Sequence, residues 1–214
     1  MEVKQTKKIL IIANGEDPGE DLINSFRNSC DVVIAADGGA LTCIKYGLSP
    51  DFIVGDMDSF SDYGTFSDRV IMDSDQETND LEKALNLARN KDASHVVVLG
   101  ATGERLDQTL KNISVMAGYQ PHFDDLIFMD RMGWMKILPK HYSFVTRPGT
   151  IVSLFPISGT VSGITTVGLE FPLKSESLQN GVRDGSSNRA TGNQVSLTHE
   201  EGILLLMVFD RLSY

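Results

Sequence analysis

Apolar runs alternate with segments of helical periodicity over the first 130 or so residues of the chain. The runs are apolar throughout, which is typical of strands covered on both faces of a parallel sheet. They predict six strands, at residues 8–13, 31–36, 52–54, 70–72, 95–99 and 125–129. Apolar residues at helical spacing predict helices near residues 17–28, 40–46, 81–88 and 107–116. This alternation predicts an α/β domain with a doubly wound, mainly parallel, Rossmann-like sheet.

The character of the chain changes near residue 135. Proline and glycine recur beyond this point and separate short apolar or alternating segments, and no segment has convincing helical periodicity. The segments lie at residues 143–146, 150–155, 160–166, 194–198 and 203–209. Short strands with frequent turns predict an antiparallel β-sandwich or barrel. We therefore expect two domains, an α/β domain over residues 1–134 and an all-β domain over residues 135–214.

Composition narrows the classes of partner and location. The 214 residues carry a net charge of −10, which disfavours nucleic acid and an anionic membrane surface as partners. A nucleotide substrate stays open, because a bound metal inverts the sign of a small site. The two cysteines, Cys30 and Cys43, are too few for a disulfide framework or a zinc site. The charged start lacks the apolar segment of a signal peptide, so we expect a cytoplasmic protein.

Polar residues follow each predicted strand of the first domain, and the most informative are Asp56 and Asp58 after the third strand. Two carboxylates two residues apart in extended backbone point to the same side. Such a pair is stabilised by a cation, and Mg²⁺ prefers oxygen ligands. A solvated acidic loop is the alternative. Because the carboxyl ends of parallel strands meet at one edge of the sheet, we expect these loops to form one pocket.

The residues of these loops suit a polyphosphate. Asp80 would join Asp56 and Asp58 in holding Mg²⁺, Arg105 would brace a phosphate, and Asp107 would complete the metal shell or accept a hydroxyl proton. Glycines that let backbone N–H groups approach phosphate oxygens occur at Gly38, Gly39, Gly100 and Gly103.

Each of these residues also has a structural interpretation. Asp80 can simply favour a helix N-terminus, Asp107 can cap its own helix, and Arg105 can pair with an acidic neighbour on the surface. Asn79 and Glu82 form a capping-box pattern, so Asn79 is better interpreted as a cap than as a ligand. The chain has no Walker A loop and no Gly-x-Gly-x-x-Gly fingerprint, which disfavours P-loop enzymes and dinucleotide dehydrogenases.

Four motifs in this order resemble the thiamin pyrophosphokinase family, and the likeness spans nearly the whole chain. They are Ala36-Asp37-Gly38-Gly39-Ala40, Gly55-Asp56-Met57-Asp58-Ser59, Gln76-Glu77-Thr78-Asn79-Asp80 and Gly103-Glu104-Arg105-Leu106-Asp107-Gln108. The resemblance implies transfer of the β,γ-diphosphate of ATP to the hydroxyl of thiamin, giving thiamin diphosphate and AMP. It also implies Mg²⁺, and a homodimer with the thiamin site at the subunit interface.

The resemblance assigns roles to individual residues. The catalytic group is Asp56, Asp58, Asp80, Arg105 and Asp107, with the first three as metal ligands. The ATP-binding group is Asn14, Asp37, Gly38, Gly39, Gly55, Ser59, Gln76, Thr78, Gly100, Gly103 and Gln108. The thiamin-binding group is Phe171, Ser187 and Asn188, where an aromatic face suits a cationic thiazolium and polar groups suit the pyrimidine edge. Without the resemblance, core packing for Phe171 and a plain turn for Ser187 and Asn188 are the simpler interpretations.

The chain departs from the family pattern at three positions. Glu77 and Asn79 replace the more usual Asp and Thr, and Gln108 replaces a common His. Gln108 cannot act as a base near neutral pH, so an Asp must serve if a base is needed. Three alternatives stay open: a diphosphokinase for another flat alcohol such as a hydroxymethylpterin, a non-catalytic nucleotide- or thiamin-binding protein, and a metal-dependent phosphohydrolase.

Overall fold

The structure, a computed structural model, describes residues 6–57 and 64–210. It divides into two compact units between Arg131 and Met132, whereas the sequence places the domain boundary after residue 134. Among the described residues, no helix has both the length and the apolar character needed to cross a membrane.

The first unit alternates strands with helices along the chain. Its strands are β1 (Lys7–Ile12), β2 (Val32–Ala36), β3 (Phe52–Gly55), β4 (Val70–Met72), β5 (Ala93–Leu99) and β6 (Asp125–Asp130). Its helices are α1 (Glu20–Arg27), α2 (Gly39–Lys45), α3 (Asp80–Asn90) and α4 (Leu106–Tyr119), with short 3₁₀ helices at Gly64–Arg69 and Gln120–His122. All six predicted strands and all four predicted helices are present.

The six strands form a parallel array in the order β6-β5-β1-β2-β3-β4. From β1 the chain moves outward in one direction through β2, β3 and β4, and then returns to place β5 on the other side of β1. In doubly wound sheets this reversal opens a crevice at the carboxyl ends of the strands, where ligands bind. The predicted fold class of this unit is confirmed, and the crevice lies between the ends of β1 and β5.

The core of the first unit explains why the apolar runs become strands. Ile9 to Ile12 in the central strand β1 have no solvent exposure, and α1 and α2 pack on the sheet through Ile23 and Cys43. Complete burial of an Ile side chain contributes about 1.5–3 kcal/mol. Burial raises the pKa of the Cys43 thiol to about 12, so Cys43 stays neutral and packs as a small hydrophobic residue.

Asp17, in the loop between β1 and α1, collects several hydrogen bonds. Tyr46 Oη donates to both carboxylate oxygens at 2.8 and 2.9 Å, the Gly19 N–H donates at 2.8 Å, and Lys45 forms an ion pair with the same carboxylate. Burial acts to raise the pKa of Asp17, but the bonds from Lys45, Gly19 and Tyr46 outweigh it and lower this pKa to about 2.

We expect Asp17→Asn to lower the free energy of unfolding at pH 7 by about 1 kcal/mol, a value reduced for the exposure of the ion pair. Because the folded pKa lies below the unfolded value of 3.8, this stabilisation is present above pH 4 or so and is lost as the pH falls towards about 2. Urea unfolding at pH 7 and at about pH 2.5 would measure it. Asp124→Asn, at an exposed position, is the control, and equal losses for the two variants at pH 7 would contradict the prediction.

The second unit consists of antiparallel strands, and its described residues contain no helix. The strands are β7 (Gly133–Ile137), β8 (His141–Val145), β9 (Ile151–Pro156), β10 (Thr160–Val167), β11 (Lys174–Gln179), β12 (Gly185–Arg189), β13 (Gln194–Thr198) and β14 (Leu204–Phe209). They form two arrays, β12-β9-β14-β7 and β11-β10-β13-β8. One core cluster takes residues from both arrays, including Val152, Ile164 and Leu206. The predicted antiparallel β unit is confirmed, and of the two predicted forms, sandwich or barrel, two arrays that share one core correspond to the sandwich.

Candidate active site

Three carboxylates come together at the carboxyl edge of the parallel sheet. Asp37 follows β2, Asp56 follows β3, and Asp80 is the first residue of α3. One oxygen from each lies within 4.8 Å of an oxygen from each of the others. Asp37 is buried, with 2 % of its surface exposed, and the other two are partly buried. Sequence analysis assigned Asp56 and Asp80 to a metal and Asp37 to ATP, whereas the structure places the Asp37 carboxylate with the other two.

Local structure fixes each of these acids. The Asn79 side chain accepts from the Glu82 N–H at 2.9 Å, and the Glu82 side chain accepts from the Asn79 N–H at 3.1 Å. This is the predicted capping box, and it sets the start of α3 at Asp80. Asp37 adopts a left-handed backbone with φ of 40°, which Asp tolerates better than most residues. Its N–H donates to the Val54 carbonyl at 2.9 Å, which ties the end of β2 to β3.

Gly55 is required by the closeness of these acids. A Cβ atom at this position would lie 2.7 Å from the Asp37 Cβ and 3.0 Å from Asp80 Oδ1. Gly39 is similarly confined, because its Cβ would lie 2.1 Å from the Ile12 carbonyl oxygen. Both glycines therefore serve the packing of the site itself, while the approach of Gly39 to phosphate and the role of Gly55 in ATP binding stay predictions.

The electrostatics of the acidic cluster favour a cation. Burial raises the pKa of Asp80, the charges of Asp37 and Asp56 raise it further, and Lys83 acts in the opposite direction. Gln76 Nε2 donates to Asp56 Oδ2 at 3.4 Å, which brings the β4–α3 loop to the cluster. A positive ion would relieve this repulsion among the three carboxylates.

Lys83 belongs to this site and was missed by sequence analysis. Its side chain is 2 % exposed, and its ammonium donates to the Asp73 carbonyl at 2.9 Å and contacts Asp80 Oδ1 at 3.4 Å. The sequence offers little signal for it, because at helical spacing Lys83 lies opposite the apolar face of α3, and the one hint was an aspartate three residues earlier on the same helix.

A cavity of about 330 Å³ opens beside Asp80, between the ends of β1 and β5. This volume lies at the lower end of the range of small-molecule sites. The predicted site residues that line it are Asn14, Asp80, Gly100, Gly103, Arg105 and Gln108. Asn112 of α4 also lines it and was not predicted; its amide accepts from Asn79 Nδ2 at 2.9 Å and donates to the Ala101 carbonyl at 2.8 Å.

Arg105 and Asp107 form an ion pair with a shortest distance of 2.6 Å, and both side chains are mostly exposed. The surface pair that sequence analysis kept as an alternative is therefore the arrangement present here. Arg105 lines the cavity, whereas Asp107 is not among its described lining residues. The hydrogen bonds from Arg105 lower the pKa of Asp107, which makes this carboxylate a poor proton acceptor.

Four predicted residues of the neighbouring loops remain to be placed. Gly38 lies directly before α2, and a Cβ atom there would lie 2.4 Å from the Asn14 side chain. Thr78 Oγ1 donates to Asp75 Oδ2 at 2.9 Å, so this hydroxyl is engaged within the β4–α3 loop. Asp58 and Ser59 lie outside the described residues.

The predicted thiamin-side residues lie in the second unit. Phe171 has 67 % of its surface exposed, so the core-packing alternative is wrong. Asn188 holds the Phe171 backbone, since its Oδ1 accepts from the Phe171 N–H at 3.1 Å and its Nδ2 donates to the Phe171 carbonyl at 2.7 Å. Ser187 and Asn188 lie in strand β12, where the register shifts, so the plain-turn alternative is also wrong. The side-chain amide predicted to bind a substrate edge thus supports the segment that carries the aromatic ring.

Comparison with known proteins agrees with this architecture in both halves. Residues 23–127 match the family model described as thiamin pyrophosphokinase, catalytic domain, and residues 138–204 match the model described as thiamin pyrophosphokinase, vitamin B1 binding domain. Thiamine pyrophosphokinase from Bacillus subtilis is 21% identical over 94% of this chain and 98% of the relative. Thiamine pyrophosphokinase 1 from Oryza sativa is 27% identical over 75% of this chain and 67% of the relative.

Solved structures show the same fold. The crystal structure of thiamin pyrophosphokinase from Geobacillus thermodenitrificans superposes with a TM-score of 0.85 at 24% identity, and covers 96% of this chain and 99% of that chain. The Bacillus subtilis enzyme gives a TM-score of 0.86 at 21% identity, over 96% of this chain and 100% of that chain. At these sequence identities the superpositions establish the fold alone. The two family models together span most of the sequence, and they therefore establish the family. The chain belongs to the thiamin pyrophosphokinase family.

Proposed function

We propose that this chain transfers the β,γ-diphosphate of ATP to the hydroxyl of thiamin, giving thiamin diphosphate and AMP. Its family membership makes it a diphosphotransferase. The observation that carries the proposal at residue level is the meeting of Asp37, Asp56 and Asp80 beside a cavity at the switch point of the sheet. A non-catalytic nucleotide-binding protein has little use for three carboxylates at this place, because they repel the phosphates.

The acidic cluster fits Mg²⁺, because three carboxylate oxygens within 4.8 Å of one another are the hard ligands that this ion prefers. Asp37, Asp56 and Asp80 would hold it, and Asp58 stays a further ligand predicted from sequence. The bound ion would neutralise negative charge on the triphosphate.

The remaining residues bind and orient the substrates. The loops after β1 and β5 line the cavity and would receive the nucleotide, and Arg105 would leave its partner Asp107 to contact a phosphate. The thiamin hydroxyl would attack the β-phosphorus in line, with AMP as the leaving group. The pKa of Asp107 is lowered by its pair with Arg105, so once Arg105 has moved to the phosphate, Asp107 would be free to orient the thiamin hydroxyl or to accept its proton. Catalysis would then come mainly from positioning and charge neutralisation.

Thiamin binding would use the exposed ring of Phe171, since an aromatic face attracts a cationic thiazolium. The homodimer, the placement of thiamin at a subunit interface and the cytoplasmic location stay predictions from sequence.

A product assay tests the reaction. The protein is incubated with Mg²⁺ and ATP, with and without thiamin, and the nucleotides are separated. We expect AMP and thiamin diphosphate in equal amounts, and only when thiamin is present. ADP as the sole nucleotide product would reject diphosphate transfer, and loss of ATP without an acceptor would favour a phosphohydrolase. The same assay with a hydroxymethylpterin in place of thiamin tests the remaining alternative, a diphosphokinase for another flat alcohol. AMP formation with the pterin but not with thiamin would favour that alternative.

Asn188→Ala is expected to raise the KM for thiamin about tenfold with little change in kcat. Removing the two side-chain bonds to the Phe171 backbone frees the segment that presents the ring, and each such bond contributes about 0.5–1.5 kcal/mol. Steady-state kinetics with varied thiamin would measure the effect.

The matched control is Asn180→Ala, an exposed asparagine of the same unit, which should leave both constants unchanged. A loss of kcat with unchanged KM in Asn188→Ala would contradict the positioning of Phe171 by this amide.

A further inference from the structure

Lys83 is an unusual residue for the interior of this unit. It is one of the buried residues of α3, and only 2 % of its side chain is exposed. A buried ammonium is costly unless it is paired and hydrogen-bonded. The position of Lys83 therefore calls for an explanation beyond packing.

The ammonium of Lys83 connects the loop after β4 to the acidic cluster. The Asp73 N–H donates to the Gly55 carbonyl at 2.9 Å, and the Asp73 carbonyl accepts from Lys83 Nζ at 2.9 Å. The same Nζ contacts Asp80 Oδ1 at 3.4 Å. A continuous path of polar contacts thus runs from the backbone beside Asp56 to the carboxylate of Asp80.

We infer that Lys83 is a positioning residue that serves as a built-in counter-charge for the cluster of Asp37, Asp56 and Asp80 in the metal-free protein. It holds the Asp80 carboxylate close to the end of β3 at Gly55, so that the ligand oxygens stay together before a cation arrives. The inference rests on the divalent metal of the proposed function.

Two other roles for Lys83, a contact to phosphate and a packing residue of the core, predict different properties of its side chain. A lysine that contacts the transferred phosphate needs a solvent-accessible ammonium, whereas Lys83 is enclosed. A lysine that only fills the core stabilises the protein equally with and without a metal. A counter-charge, in contrast, matters most when the metal is absent, because a bound cation takes over part of its role and is itself repelled by the ammonium.

The test compares the melting temperatures of the full-length wild type and Lys83→Met, in EDTA and in about 10 mM MgCl₂. We expect Lys83→Met to lower the melting temperature in EDTA by about 5–15 °C, because Asp37, Asp56 and Asp80 then repel one another without the counter-charge of the buried ammonium. Mg²⁺ should then raise it by clearly more degrees than in the wild type. Mn²⁺ titration followed by EPR should show binding at least as tight in the variant as in the wild type.

Lys111→Met is the matched control. Lys111 of α4 forms an ion pair with Glu82 of α3 at 2.9 Å, outside the acidic cluster. Its removal should change the melting temperature by no more than about 2 °C, and by the same amount in EDTA and in Mg²⁺.

Several results would overturn the inference. Equal destabilisation of Lys83→Met in EDTA and Mg²⁺ would reduce Lys83 to a core residue, and an unchanged melting temperature with a raised KM for ATP would make it a phosphate contact. If Lys83→Met does not fold in either buffer, the double variant Asp80→Asn/Lys83→Met must recover folding, and its failure to do so also rejects the role. A wild type that neither responds to Mg²⁺ nor binds Mn²⁺ would instead remove the metal from the proposed function.

Discussion

Asp80→Asn is expected to lower kcat by about 10²–10³-fold, the usual cost of removing one preorganised group that stabilises transferred charge. Asp80 supplies one of the three carboxylate oxygens that lie within 4.8 Å of one another, and an amide is a weaker and uncharged ligand. The assay of AMP formation at saturating ATP and thiamin, with increasing Mg²⁺, would measure the loss. The Mg²⁺ concentration for half-maximal rate should also rise.

The same substitution is expected to leave the metal-free protein at least as stable as the wild type at pH 7. The folded pKa of Asp80 is raised by burial and then by Asp37 and Asp56. A raised carboxyl pKa means that the protonated form favours folding at low pH, and that this contribution is lost as the pH rises through the folded pKa. At pH 7 the charged carboxylate is therefore a net cost, which the neutral amide removes.

Asp92→Asn is the control for both predictions about Asp80→Asn, the loss of kcat and the retained stability of the metal-free protein. Asp92 follows the far end of α3 with φ of 57°, a conformation that Asn also tolerates. This variant should keep full activity and the same response to Mg²⁺. Near-wild-type turnover in Asp80→Asn, or a large loss of stability in EDTA, would contradict the role of Asp80 as a destabilised metal ligand.

The parallel sheet was predictable because its strands are apolar over their whole length. A strand buried on both faces, such as β1, can be recognised from its own sequence without knowing which strands pair with it. The meeting of Asp56 with Asp80 follows from the same pattern, since loops after parallel strands converge at one edge. In the second unit β7, β11 and β12 were not predicted. β11 and β12 are edge strands with mostly polar residues and one buried side chain each, Leu178 and Asn188, and β7 spans the predicted domain boundary after residue 134.

The parts of the site that were not predictable depend on three-dimensional approach. Asp37 joins the cluster because its backbone turns into the left-handed region beside Gly55, and no spacing rule encodes this. Asn188 was expected at a substrate edge, but its amide binds the backbone of Phe171, which lies 17 residues earlier. Lys83 looked like one polar residue of an amphipathic helix until its burial was known.

Gly55→Ala is expected to reduce kcat about 100-fold although the added methyl group touches no substrate. The new Cβ would lie 2.7 Å from the Asp37 Cβ and 3.0 Å from Asp80 Oδ1, so one of the two aspartates must move by several tenths of an ångström or more. Misplacement of a catalytic group by about 1 Å costs about 10²-fold in rate. Crowding of a packed site should also lower the free energy of unfolding by about 1–3 kcal/mol.

Gly118→Ala provides a control of opposite sign. Gly118 lies in α4, and a Cβ there would meet nothing within 4 Å. Alanine in place of glycine inside a helix stabilises by about 0.5–1 kcal/mol, so this variant should melt at a higher temperature with unchanged kinetics. The pair of substitutions separates the general effect of an added methyl group from its effect at the acidic cluster.

The Mn²⁺ affinity of Gly55→Ala tests whether the close approach of the aspartates forms the cation site. It is determined by EPR at a temperature where the variant is folded. Weakened binding together with low kcat would mean that the close approach of Asp37 and Asp80 is what makes the cation site. Unchanged Mn²⁺ affinity and unchanged kcat would mean that the cluster tolerates displacement. In that event the proposed metal centre would have to depend on carboxylates other than the three that Gly55 brings together.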